Sequence, residues 1–93
     1  MNKKKLQVAR SNIDKLDKEI LYLIKKRTSI VKYMLNLKEF KKQIVDHKRI
    51  KKLLKDIKKK SVHHSIDPKI TDRIWRAIIG SSIDYEKRNF KKR

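Results

Sequence analysis

Ninety-three residues carry 29 Lys plus Arg against 10 Asp plus Glu, a formal net charge of +19. That length allows one small domain, expected here to span residues 1–93, and a domain this small is marginal unless copies of it associate. The absence of cysteine excludes a disulfide framework, a zinc-thiolate site and a cysteine nucleophile, and a single Gly and a single Pro exclude a turn-rich β fold.

The first element is a long helix, about residues 2–38. Ile13, Leu16, Ile20, Leu23, Ile24, Ile30, Val31, Met34 and Leu35 recur at helical spacing, and no Gly or Pro interrupts them. At 1.5 Å per residue such a helix is about 50 Å long, more than its own chain can cover. The exposed remainder of the stripe asks for a helix from another subunit. Residues 39–45 lose the period and read as a connection. Asp46 is an N-cap for a second helix, about 46–60, with Ile50, Leu53, Leu54 and Ile57 facing inward. The stretch from Val62 to Ile66 reads as a loop. Asp67-Pro68 then starts a third helix, about 68–88, with Ile70, Ile74, Ala77, Ile78 and Ile83 as its apolar side. A basic tail, 87–93, closes the chain. The class is all-α, three helices in the order long, short, medium.

The charge invites a polyanion partner, since nonspecific nucleic-acid binding is mostly phosphate neutralisation. Yet 22 of the 29 cations are Lys and only 7 are Arg, the residue suited to bidentate phosphate and base contacts. The lysines run through every helical segment, so a solvated, compositionally basic surface is expected rather than a nucleic-acid face. A noncatalytic basic domain that binds nucleic acid or an acidic partner stays open as an alternative of another class. No apolar run approaches the roughly 18 residues of a membrane span, and the basic N-terminus lacks an apolar signal core. A cytoplasmic location is therefore expected. His63-His64 is a weak metal signal, because adjacent loop residues diverge and no Cys or carboxylate cluster accompanies them. No metal site is expected.

Three cations are spaced informatively. Lys38 follows Arg27 by 11 residues, which on a helix leaves the two about 20° apart in direction and about 16 Å apart along the axis. Arg10 precedes Arg27 by 17 residues, about 25 Å away and roughly 100° round the helix. Arg10 of the same chain cannot reach a small ligand held by Arg27 and Lys38. If all three serve one site, Arg10 comes from a second subunit, with the long helices antiparallel.

The run from Arg10 to Arg27 (Arg-Ser-Asn-Ile-Asp-Lys-Leu-Asp and onward), then Lys38, Asp46-His-Lys-Arg49, Ile66-Asp-Pro and Ile78-Ile-Gly-Ser-Ser82, resembles the all-helical chorismate mutases. The likeness covers about residues 8–86. It implies an intertwined helical homodimer that converts chorismate to prephenate for aromatic amino-acid synthesis, with no cofactor. That reaction is pericyclic and needs no nucleophile. A protein assists it by holding the reactive conformer and by stabilising negative charge on the ether oxygen. The resemblance further implies that Arg10 of one subunit and Arg27 of the other grip the carboxylates. It gives Lys38 the ether oxygen and a carboxylate, Arg49 a supporting field, Ser82 a donor role to a carboxylate, and Asp46 a place near the ring hydroxyl.

Two positions depart from the bacterial pattern. Glu86 stands where many members have Gln, a second donor to the ether oxygen. A carboxyl donates only when protonated, so this likeness to the fungal branch implies faster turnover in acid. Ile50 stands where mutases usually have Glu. Together with the 11 residues from Lys38 to Arg49, it resembles the isochorismate-pyruvate lyases, which share the fold. Asp46 and Ser82 resemble the mutases, which is the reading adopted.

Overall fold

The computed structural model describes residues 2–91; Met1 and the end of the basic tail, Lys92 and Arg93, lie outside the described residues. Three α-helices follow in chain order, α1 (Lys3–Leu37), α2 (His47–His63) and α3 (Pro68–Asn89), with a 3-10 turn at Lys41–Gln43 between the first two. No strand occurs among the described residues, so the fold is all-α. The chain divides into two units, Met1–Val31 and Lys32–Arg93.

In the first unit the chain is helical from Lys3 onward. Asn2 caps it, its side-chain oxygen accepting the Lys5 N–H at 3.0 Å. One turn apart, the Lys26 ammonium lies 4.7 Å from the centre of the Tyr22 ring. No side chain between residues 2 and 31 is buried. Ile13, Leu16 and Ile20, the middle of the apolar stripe, each keep more than half of their surface exposed. A helix in water gains little from propensity alone and depends on burying such a stripe. Within this unit, nothing buries it.

The second unit is built on α2 packed against α3. Asp46 caps α2 by accepting the Arg49 N–H at 3.0 Å. Asp67 caps α3 by accepting the Lys69 N–H at 2.9 Å, with Pro68 at the first helical position, where its missing N–H costs nothing. Ile50, Leu53, Leu54 and Ile57 are all partly buried along α2, as their spacing requires. A hydroxyl pair completes that face. Ser61 and Thr71 meet at 2.7 Å, both buried, and each also bonds a carbonyl of its own helix, Ile57 O at 2.6 Å and Pro68 O at 3.3 Å.

Two expectations need correction here. The second helix does not give way to a loop at Val62: it continues through His63 and ends in a Schellman turn. The Ile66 N–H reaches Ser61 O at 2.8 Å and the Ser65 N–H reaches Val62 O at 3.1 Å. Ser65 takes the left-handed position, φ 58°, where Gly is usual, so the stop signal carries no glycine. The apolar side of α3 is also rotated from the expected one. Ile78 and Ile83 are partly covered as expected, but Ile70, Ile74 and Ala77 are exposed, and Thr71, Trp75, Ile79, Ser82 and Glu86 are covered in their place. Three polar residues occupy inward positions that a hydrophobic period assigns to solvent. Among the described residues, no helix is long and apolar enough to cross a membrane.

Candidate active site

Lys38 is the first residue after α1, and its N–H closes the helix on Leu35 O at 3.2 Å. Leu35 is one of the two buried apolar side chains among the described residues, so the base of Lys38 is anchored. From α3, Glu86 presents a buried carboxylate, and its Oε2 accepts from the Lys38 Nζ at 2.7 Å. Lys38 itself is only 17% exposed at its side chain. A buried carboxylate is tolerable only with such a partner. An ammonium has three donors, so this bond leaves two for another acceptor. Glu86, which stands where many members of the family have Gln, is a buried group facing a cation.

Ser82 lies one turn before Glu86 on the same partly covered side of α3. On the remaining turn of that helix, the Tyr85 ring carries Lys32 at 5.9 Å and Arg88 at 6.0 Å from its centre, with Arg88 also paired to Asp84 at 2.8 Å. Asp46 and Arg49 open α2 on the exposed surface. The first turn of that helix, His47-Lys48-Arg49, has no acidic residue. The Asp46 carboxylate at the N-cap supplies the anion that the positive end of the helix favours.

The structure thus brings Lys38 into contact with Glu86 and links Asp46 to the backbone of Arg49. Arg10 and Arg27 belong to the first unit, Arg10 exposed and Arg27 half-buried. One contributor escaped the sequence reading. Gln43 lies in what was read as a plain connection, and its Oε1 accepts the N–H groups of both Glu39 and Phe40 at 2.8 Å. Half of a capping box is present, but the reciprocal cap residue is Phe40, which has no side-chain acceptor. Without Ser, Thr, Asp or Asn at that position the signature is invisible in the sequence.

A family model for chorismate mutase type II matches residues 9–87, most of the chain and every residue of the candidate site. The chain belongs to the type II chorismate mutases. No curated protein and no solved structure matches it. Family membership makes it an isomerase, with chorismate as the family's substrate.

Proposed function

We propose that this protein is a homodimeric, cytoplasmic chorismate mutase of phenylalanine and tyrosine synthesis, with two equivalent sites each drawing residues from both subunits. The observation that carries this is the Lys38–Glu86 contact, a part-buried ammonium held 2.7 Å from a buried carboxylate within the family's span. Lys38 donates to the ether oxygen and to a substrate carboxylate. Arg27 and the partner subunit's Arg10 grip the carboxylates, for which planar guanidinium forks are suited. Arg49 adds positive field, Ser82 donates to a carboxylate, and Asp46 borders the ring hydroxyl. Catalysis consists of holding the reactive conformer and stabilising the developing charge. The exposed Ile13, Leu16 and Ile20 side chains support the dimer, because apolar patches of this kind mark association surfaces.

Pyruvate elimination from isochorismate is a second reading, favoured by Ile50 directly after Arg49. Purified protein given chorismate and isochorismate in separate reactions decides between them. Prephenate from chorismate is the expected product; pyruvate and salicylate from isochorismate, with chorismate untouched, would overturn the mutase reading.

Glu86 holds the Lys38 ammonium beside the ether oxygen through its Oε2.

A further inference from the structure

Lys38 is followed by a connection that must hold it against Glu86 while also delivering Asp46 and Arg49. Beyond Leu37 the backbone leaves the helix. The Lys38 N–H takes Leu35 O, the carbonyl that a continuing α-helix would give to Glu39. The next two donors, the N–H groups of Glu39 and Phe40, converge on a single atom, Gln43 Oε1, at 2.8 Å each. The turn is then closed by the Gln43 N–H on Phe40 O at 3.0 Å and the Ile44 N–H on Lys41 O at 3.1 Å. Ile44 is 5% exposed, the more deeply buried of the two apolar anchors that flank the segment, Leu35 being the other. Phe40, between these anchors, is 57% exposed.

We infer that Gln43 is a positioning residue for the rearrangement. Its amide oxygen fixes the turn that carries Lys38, and so fixes the separation between Lys38 and the Asp46–Arg49 end of α2. The inference rests on the proposed role of Lys38. Gln43 touches no reacting atom. It works by keeping the Lys38 ammonium where charge develops, and electrostatic stabilisation of that kind is lost by displacements of about 1 Å.

Side-chain chemistry separates this role from a merely structural one. Gln43→Glu keeps an oxygen at the same reach, able to accept both N–H groups. Gln43→Asn is a methylene too short, and Gln43→Ala has no acceptor. Steady-state kinetics on chorismate, well below the melting temperature of each variant, should show kcat lowered about tenfold or more in the Ala and Asn variants, with KM changed less. The Glu variant should stay within about twofold of wild type. Amide hydrogen exchange reads the brace itself: Glu39 and Phe40 are protected in the wild type and in Gln43→Glu, and lose that protection in the other two. Wild-type kcat in Gln43→Ala, a Glu variant as impaired as the Ala variant, or unprotected Glu39 and Phe40 amides in the wild type would each overturn the inference. A wild-type protein inactive on chorismate, with both amides protected, would instead locate the failure in the reaction assigned to the site.

Discussion

Lys38→Ala is expected to lower kcat by a factor of about 100 to 1,000 or more, the loss typical of removing one donor aimed at developing negative charge. It also damages the fold. Glu86 is 5% exposed and pairs with Lys38 at 2.7 Å, so the variant takes this partner from a buried carboxylate, a change that typically costs about 3–5 kcal/mol. Adding Glu86→Gln separates the two effects. The amide carries no charge to strand, so the double variant should recover most of the melting temperature and none of the lost activity. Thermal denaturation by circular dichroism and a prephenate assay on the same samples measure both. Activity within tenfold of wild type in either variant would remove Lys38 from the reaction.

Arg10 gives the second large effect, of the opposite character. Its side chain is exposed within its own unit, so Arg10→Ala should leave the helical signal and melting temperature unchanged. Truncating one side of a charge pair formed with substrate costs about 2–5 kcal/mol of binding in the complex, and kcat/KM should fall accordingly. A residue at the surface of one subunit can matter this much only if it completes a site elsewhere. If Arg10, Arg27 and Lys38 serve one site, their helical spacing puts that site's Arg10 on another copy of the chain.

The parts of the fold that announced themselves in the sequence are those governed by local chemistry. Asp46 and the Asp67-Pro68 pair mark helix starts because they satisfy or dispense with N–H groups that a helix leaves free, and both caps occur as read. The end of α2 was hidden because Ser65 adopts the left-handed conformation in place of Gly. The buried side of α3 was hidden because periodicity counts apolar residues, and Thr71, Ser82 and Glu86 are not apolar. Thr71 is buried against Ser61 and Glu86 against Lys38, two polar matches across elements that no local window contains. Exposed Ile70 and Ile74 are the counterpart of that rotation. The contact between Lys38 and Glu86 joins residues 48 apart, so helical spacing could point to Lys38 but only family likeness made Glu86 a candidate beside it. Gln43 was legible in neither way, because its partners are backbone groups and its cap residue is aromatic.

The shared site is tested most directly by mixing two inactive variants. Arg10→Ala and Lys38→Ala/Glu86→Gln chains are unfolded together in equal amounts and refolded. In a two-fold dimer whose sites take Arg10 from one subunit and Lys38 from the other, half of the products are heterodimers with one fully native site each, so about a quarter of wild-type activity returns. Recovery to that level is the predicted result. A refolded mixture no more active than its two parents combined would contradict the assignment of each site to both subunits.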